Sequence, residues 1–281
     1  MSDTTIGLLH PGEMGAAVGQ CLTAAGHRVL WIPEGRSAAT RERAAAAGLE
    51  GCAWAEMAAR SAVIVSVCPP AAALEVARTV AGTGFGGLYL DANAVSPASA
   101  GEVARVVKPA SFVDGGIIGT PPVTPGFIRL YLSGDRAAEI QALFEGSAVD
   151  ARLVAPPGTA SAVKMAYASW TKGSAALLLA ARALARAEGV EPALLAEWTL
   201  SQPSLADRAQ GAARSATTKG WRWVAEMEEI AASMAAAGLP DGFHQAAAEI
   251  FRRSPRAEPD TPDGEAVDLV LAAITGEGVR G

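Results

Sequence analysis

Cysteine, histidine and aromatic residues are scarce in this sequence. Its 281 residues include 3 cysteines and 3 histidines, and aromatic residues make up 5%. The cysteines and histidines are scattered, without the spacing of a disulfide framework or of a zinc site. We therefore expect a protein without a bound metal that works in the reducing cytoplasm.

An excess of positive charge and long apolar runs are also missing. The formal net charge is -6, which gives no broad basic surface for nucleic acid or anionic membrane. We find no stretch of membrane-spanning length without charges or glycines, and no leader-like segment. Apolar residues nevertheless make up 50% of the chain, which is enough for two globular domains. The expected partner is a small molecule.

The first part of the chain alternates short apolar runs with alanine-rich stretches, the pattern of a parallel sheet covered by helices on both faces. Predicted strands are Thr5–His10, Arg28–Ile32, Ala62–Cys68, Leu88–Asp91, Phe112–Ile118, Arg129–Leu132 and Leu153–Ala155. Predicted helices between them are Ala16–Ala25, Ala38–Ala47 and Ala71–Val80. This pattern predicts an α/β fold with a Rossmann-type, doubly wound parallel sheet in residues 1–155.

After residue 155 the pattern predicts helices only, so residues 156–281 form an expected all-α domain. A long helix from Pro156 to Gly189 opens it, with Thr159 or Ser161 as candidate cap. At roughly 45 Å this helix is longer than one small domain can bury, so it joins the two domains. Leu177 to Ala187 is almost entirely Ala and Leu, which suits packing on several sides. We expect a homodimer with interlocked helical domains. Further helices are predicted at Glu191–Leu200, Trp221–Ala237, Gly242–Arg253 and Glu265–Ile274.

The first predicted strand runs into a turn that contains glycine, followed by a helix. Gly12 and Gly15 fit the second and third glycines of a G-x-G-x-x-G dinucleotide turn, whereas His10 replaces the first. Such a turn brings backbone amides and a helix N-terminus to a pyrophosphate. The candidate pyrophosphate contacts are His10, Pro11, Gly12, Glu13 and Met14.

The residues after the second strand bear on the choice of cofactor. Glu34 stands near the distance at which an acid selects NAD by binding a ribose 2′-hydroxyl. Arg36, Ser37 and Thr40 instead suit a 2′-phosphate, because a guanidinium binds phosphate in a bidentate manner. The sequence favours NADP, with NAD as the alternative.

Several motifs together resemble the superfamily of β-hydroxyacid dehydrogenases and 6-phosphogluconate dehydrogenases, which includes the imine reductases. Leu8 to Gly15 is similar to its I-G-x-G-x-M-G turn, and Val67-Cys68-Pro69 to its V-P turn. Asp91 to Pro97 is similar to D-x-S-T-x-S-P, and Gly158 to Lys164 to the G-x-G-x-x-x-K segment of the catalytic lysine. The resemblance covers essentially the whole chain and implies a Rossmann domain joined by a long helix to a helical domain.

The resemblance also implies roles for individual residues. Lys164 would be the general acid or base, and Cys68, Pro69 and Asn93 would contact the cofactor. Tyr167, Ala168 and Thr171 lie at helical spacing from Lys164, and Tyr167 is a second candidate proton donor. Ile118 replaces a serine of the family's substrate segment and Ala168 replaces an asparagine, which implies a larger, more apolar pocket. The candidate substrate contacts are Ile118, Gly119, Thr120, Ala168 and Thr171.

Three functions fit these observations. The first is an NADP(H)-dependent oxidoreductase that acts on a small alcohol, hydroxyacid or carbonyl through Lys164. The second is an enzyme like the imine reductases with Tyr167 as proton donor. The third is a non-catalytic dinucleotide-binding protein.

Overall fold

A computed structural model describes residues 4–121, 127–258 and 261–276. The strands are β1 (Thr5–Leu9), β2 (Arg28–Trp31), β3 (Glu50–Gly51), β4 (Val63–Ser66), β5 (Leu88–Asp91), β6 (Ser111–Ile118), β7 (Ile128–Ser133) and β8 (Val149–Leu153). The helices are α1 (Glu13–Ala24), α2 (Ala38–Ala46), α3 (Trp54–Arg60), α4 (Ala73–Gly82), α5 (Pro97–Val106), α6 (Ala137–Leu143), α7 (Thr159–Ala187), α8 (Glu191–Ser201), α9 (Leu205–Ala236), α10 (Gly242–Arg253) and α11 (Asp263–Thr275).

The strands form one 8-stranded sheet in the order β3-β2-β1-β4-β5-β6-β7-β8. Neighbouring strands are parallel except β6 and β7, which pair antiparallel through a short connection. This confirms the α/β fold with a Rossmann-type sheet and corrects the expectation of a wholly parallel one. Only a crossover could have made β7 parallel to β6.

The central strands are apolar because both faces of the sheet are covered. Every residue of β4 and β5 is buried. In β4, Val63 and Val65 join one core cluster, whereas Ile64 joins the other. The same alternation places Leu88 and Leu90 of β5 in the first cluster and Tyr89 in the second. Two apolar layers therefore sandwich the sheet.

The chain divides into two compact units, Met1–Met165 and Ala166–Gly281. The sequence placed the boundary at residue 156, ahead of α7. The 29-residue helix α7 begins in the first unit and continues into the second. In the second unit, α9 packs against both α10 and α11. No helix within the described ranges has the length and hydropathy needed to span a bilayer.

Some sequence-based bounds were wrong, and some elements were missed. The last strand ends at Leu153, where it was expected to begin, and α9 begins at Leu205 instead of Trp221. The first half of α9 contains threonines, serine and glycine, which are weak helix formers, but it buries a stripe of alanines. Packing therefore outweighs local propensity there. Elements that were not predicted are β3, α3, α5 and α6.

Candidate active site

The strand register defines the edge of the sheet at which the site is built. Leu9 pairs with Ser66, Ser66 with Asp91, and Asp91 with Asp114, so these residues form a row across β1, β4, β5 and β6. These four strands are parallel, so the residues that follow the row emerge at one edge. In doubly wound folds, ligands bind at this carboxyl edge.

The turn after β1 has the geometry of a dinucleotide turn although its first glycine is absent. His10 has φ 64°, a left-handed conformation that costs a residue with a side chain about 1–2 kcal/mol. A Cβ on Gly15 would lie 2.3 Å from the His10 carbonyl oxygen, so this position requires glycine. Gly12 precedes α1 without a side-chain cap, and a Cβ on it would meet nothing within 4 Å. The first amides of α1 are thus available to an anion.

Arg36 extends from the loop after β2 back to this turn. Its Nη2 donates a hydrogen bond to His10 Nε2 at 2.9 Å. Burial, together with the Arg36 charge, lowers the pKa of His10 to about 4, so the imidazole is neutral near pH 7. The Nε atoms of Arg36 and Arg43 are buried and have no hydrogen-bond partner among the described residues. Ser37 is exposed and caps α2 by accepting a hydrogen bond from the Thr40 amide.

The ends of β4 and β5 are tied together by the side chain of Asn93. Its Oδ1 accepts a hydrogen bond from the Cys68 amide at 2.6 Å, and its Nδ2 donates to Ser66 Oγ at 3.1 Å. Both ends of this buried amide are therefore used within the protein, and the Asn93 backbone N–H donates to Asp91 Oδ1 at 2.9 Å. Burial raises the pKa of the Cys68 thiol to about 12, so it remains protonated. Pro69, the next residue, is exposed.

Lys164 is placed by close packing of α7 on β6. A Cβ on Gly116 would lie 3.0 Å from Lys164 Cβ and 2.6 Å from the Ala160 carbonyl oxygen, so only glycine permits this approach. Gly116 stands two residues beyond Asp114, just as Asn93 stands two beyond Asp91. The base of the partly buried Lys164 side chain therefore lies at the same edge as Asn93.

The start of α7 is held by two residues that sequence reasoning did not assign to the site. Ser133 Oγ accepts hydrogen bonds from the amides of residues 158, 159 and 160 at 3.0, 3.1 and 3.2 Å. The same hydroxyl donates to Asp114 Oδ2 at 2.9 Å, and this carboxylate oxygen also accepts from the Ser161 amide at 3.0 Å. Burial raises the pKa of Asp114, while these donors act in the opposite direction.

These hydrogen bonds show that the cap of α7 differs from the expected one. Thr159 Oγ1 donates to the Pro156 carbonyl at 2.7 Å, and Ser161 Oγ donates to Asp114, so neither hydroxyl caps the helix. The cap comes instead from Ser133 on β7. A carboxylate within a predicted strand, at Asp114, was the one sequence signal that a buried polar contact was needed.

The predicted substrate residues on the first unit have different environments. Ile118 is buried and lies on the same face of β6 as Gly116, the face that carries α7. A Cβ on Gly119 would lie 2.2 Å from the Phe127 carbonyl oxygen, which explains this glycine. Thr120 is exposed. Residues 122–126, which follow, lie outside the described part of the chain.

The three candidate residues at the start of the second unit do not share one environment. Ala168 is fully buried, whereas Tyr167 is 46% exposed and Thr171 is also exposed. Thr171 Oγ1 donates to the Tyr167 carbonyl of its own helix. The two hydroxyl-bearing residues therefore lie on the exposed side of α7, whereas Ala168 packs inside.

Two other polar side chains of the second unit are engaged in packing. Lys172 Nζ lies 2.6 Å from Glu226 Oε1 and 5.7 Å from the centre of the Trp223 ring. His244 is buried, with Nε2 3.4 Å from the Ser169 carbonyl oxygen. These contacts link α7 to α9 and α10. Within the described residues, no group of three or more His, Cys, Asp or Glu could hold a metal ion.

Comparison with known proteins relates this architecture to oxidoreductases. A structure of a conserved protein of unknown function, itself described as similar to 3-hydroxyacid dehydrogenases, is 26% identical, with TM-score 0.65 and coverage of 88% of this chain and 96% of that chain. A Mycobacterium tuberculosis 3-hydroxyisobutyrate dehydrogenase structure with L-serine is 18% identical, with TM-score 0.69 and full coverage, 100%, of both chains. The chain has the fold of the 3-hydroxyacid dehydrogenases and imine reductases.

This is the fold that the resemblance in the sequence implies. An Aspergillus terreus reductive aminase structure with NADPH and ethyl levulinate is 20% identical to this chain, with TM-score 0.55 and coverage of 98% of this chain and 100% of that chain. A family model described as a domain of unknown function, DUF1932, matches residues 185–254. An uncharacterised 28.5 kDa protein of Methanothermus fervidus is 29% identical over 163 residues, or 58% of this chain. That match spans 63% of the relative, less than two thirds of its length.

The residues at the carboxyl edge fit a nicotinamide dinucleotide. The open position at Gly12 and the uncapped start of α1 suit a pyrophosphate. The unpartnered Nε atom of Arg36 suits an additional phosphate. From β2, which leads to Arg36, to β6, which packs against Lys164, the sheet spans four strand intervals, or about 19 Å. An extended dinucleotide can bridge such a distance.

Proposed function

We propose that this protein is an NADP(H)-dependent oxidoreductase that transfers a hydride between the nicotinamide and a small alcohol, hydroxyacid or carbonyl compound. The observation that carries the proposal is the packing of Lys164 against Gly116, which sets a lysine at the carboxyl edge of a Rossmann sheet. The dehydrogenases among the structural neighbours support the reaction class. Arg36 supports NADP over NAD.

In this proposal the chain supplies binding, orientation and a proton. The cofactor supplies or accepts the hydride. The glycine turn and the start of α1 hold the pyrophosphate, and Arg36 holds the 2′-phosphate. Lys164 gives a proton to the substrate oxygen when a carbonyl is reduced, and its neutral amine takes the proton when an alcohol is oxidised. Ile118, in place of a polar residue, favours a substrate with an apolar part at that point.

A substrate screen with wild-type protein and Lys164→Ala tests the proposal. Purified protein is assayed with NADPH against carbonyls and imines, and with NADP⁺ against alcohols and hydroxyacids. Loss of the lysine should lower kcat by about 10²–10⁴-fold, while NADPH affinity changes little. Lys108→Ala is the matched control, because exposed Lys108 precedes β6 at the opposite edge of the sheet.

The outcomes separate the three candidate functions. Carbonyl or alcohol turnover that is lost in Lys164→Ala supports the proposal. Imine turnover that survives in Lys164→Ala but is lost in Tyr167→Phe would support an enzyme like the imine reductases instead. Tight NADPH binding with no turnover across the screen would indicate a non-catalytic dinucleotide-binding protein.

We also propose that the protein is a homodimer in which α7 meets its copy. Trp170, Leu177 and Leu184 follow one another at heptad spacing on this helix and are 68%, 55% and 64% exposed. They form an apolar stripe about 21 Å long, and its exposure to water is unfavourable. Light scattering should report a dimer for the wild type and a monomer for Trp170→Glu/Leu177→Glu. Leu200→Glu, on another exposed position, is the control. A monomeric wild type would contradict this proposal.

We also propose that the protein works in the cytoplasm. The three cysteines are all free and buried, so the fold uses no disulfide among them. This supports the cytoplasm as the site of action.

A further inference from the structure

His10 is exceptional in the backbone of this protein. It is the one residue other than glycine with a positive φ within the described part of the chain. It also occupies the position where a dinucleotide turn ordinarily has its first glycine, which would adopt this conformation without strain. A side chain that persists in an unfavourable conformation beside a cofactor site suggests a role for that side chain.

The imidazole of His10 has a specific partner. A guanidinium can only donate hydrogen bonds, so the 2.9 Å contact makes His10 Nε2 the acceptor and Arg36 Nη2 the donor. The acceptor must be neutral, with its proton on Nδ1. The lowered pKa of His10, about 4, ensures this form near pH 7. One nitrogen of Arg36 is thereby fixed, while its buried Nε has no partner among the described residues.

We infer that His10 is a positioning residue that holds the Arg36 guanidinium ready for the cofactor's 2′-phosphate. The inference rests on the proposed use of NADP(H). A free arginine has many rotamers, and a phosphate that binds it must restrict them. Because the bond to His10 restricts Arg36 beforehand, the phosphate gains affinity. Cofactor choice would then depend on a residue of the glycine turn as well as on the loop after β2.

Calorimetric titration of the full chain with NADPH and with NADH tests this role. Glycine at position 10 accepts the turn conformation, so His10→Gly should fold, and its melting temperature without nucleotide checks this. The variant should bind NADPH about tenfold more weakly and NADH within about twofold of wild type. Titration with adenosine 2′,5′-bisphosphate should show the same tenfold loss, which assigns it to the phosphate end of the cofactor.

Two further substitutions separate the hydrogen bond from the space that the imidazole fills. In His10→Gln, the terminal oxygen stands as many bonds from Cα as Nε2 does, so it can accept from Arg36. This variant should retain most of the NADPH preference. In His10→Asn, the side chain tolerates the left-handed conformation but is one atom too short, so it should behave like His10→Gly.

Each result bears on the inference in a defined way. If wild type prefers NADPH and His10→Gly keeps the same NADPH-to-NADH ratio, the inference is overturned while the proposed function stands. It is also overturned if the Gln and Asn variants behave alike. A wild type without NADPH preference overturns both the inference and the choice of NADP, but leaves the reaction class to the Lys164→Ala assay.

Discussion

The substitution Ser133→Ala tests how the helix that carries Lys164 is held in place. Ser133 Oγ accepts hydrogen bonds from the amides of residues 158, 159 and 160 and donates to Asp114. Replacement by alanine removes only this oxygen and introduces no clash. The first turn of α7 then loses its cap, and Asp114 loses one of its donors.

The expected cost follows from the number of groups left without a partner. One lost N-cap bond costs about 1 kcal/mol, and a buried donor left unsatisfied costs about 1–3 kcal/mol. The three amides share a single oxygen and the site is partly buried, so we expect a total of about 2–3 kcal/mol. At about 2–4 °C per kcal/mol for a domain of this size, the melting temperature should fall by about 5–10 °C.

Urea unfolding of the cofactor-free protein, followed by circular dichroism, measures this loss. Ser37→Ala is the control, because Ser37 caps α2 through one amide at an exposed position and should cost about 0.5–1 kcal/mol. Because Lys164 lies in the second turn of α7, kcat of Ser133→Ala should fall as well. A loss of stability no larger than that of Ser37→Ala would refute the proposed role of Ser133 in holding the start of α7.

Three other changes give independent checks. Gly116→Ala sets a Cβ 2.6 Å from the Ala160 carbonyl oxygen, and this overpacking should cost about 1–3 kcal/mol in urea unfolding. Lys172→Met removes the ammonium that is paired with the largely buried Glu226 and should lower the free energy of unfolding by about 3 kcal/mol. The double variant Lys172→Met/Glu226→Leu should regain most of this loss. The pKa of His10 is lowered on folding from 6.5 to about 4, so stability should fall as the pH falls through this window. After allowance for partial exposure, we expect about 1 kcal/mol between pH 7 and pH 5, and His10→Gln should abolish this loss. Equal stability of wild type at both pH values would contradict it.

The central strands could be predicted from the sequence because their environment is uniform. Strands buried on both faces need a continuous apolar run, and Val63–Val65 and Leu88–Leu90 provide one. The antiparallel partner of β6 could not be recognised in the same way. β7 alternates buried and partly buried residues along most of its length, and its direction depends on the chain connection before it.

The candidate site was predictable where it depends on strand ends alone. His10, Cys68 and Asn93 each follow a strand, and parallel strands bring such residues to one edge whatever their side chains do. The sequence did not reveal the direction of those side chains. Asn93 was expected to face the cofactor, but its amide binds the Cys68 backbone and Ser66. The choice between these directions depends on contacts between strands that no local pattern encodes.

The site depends both on glycines, which the sequence shows directly, and on a helix cap, which it does not. Gly116 and Gly15 mark points where a helix approaches a strand or turn too closely for any side chain, and such glycines are visible in the sequence. Ser133 is a common residue in an ordinary strand, and its role arises only when β7 pairs with β6 in a register that sets it opposite Asp114. Removal of its hydroxyl should therefore weaken the site without changing any motif by which the site is recognised.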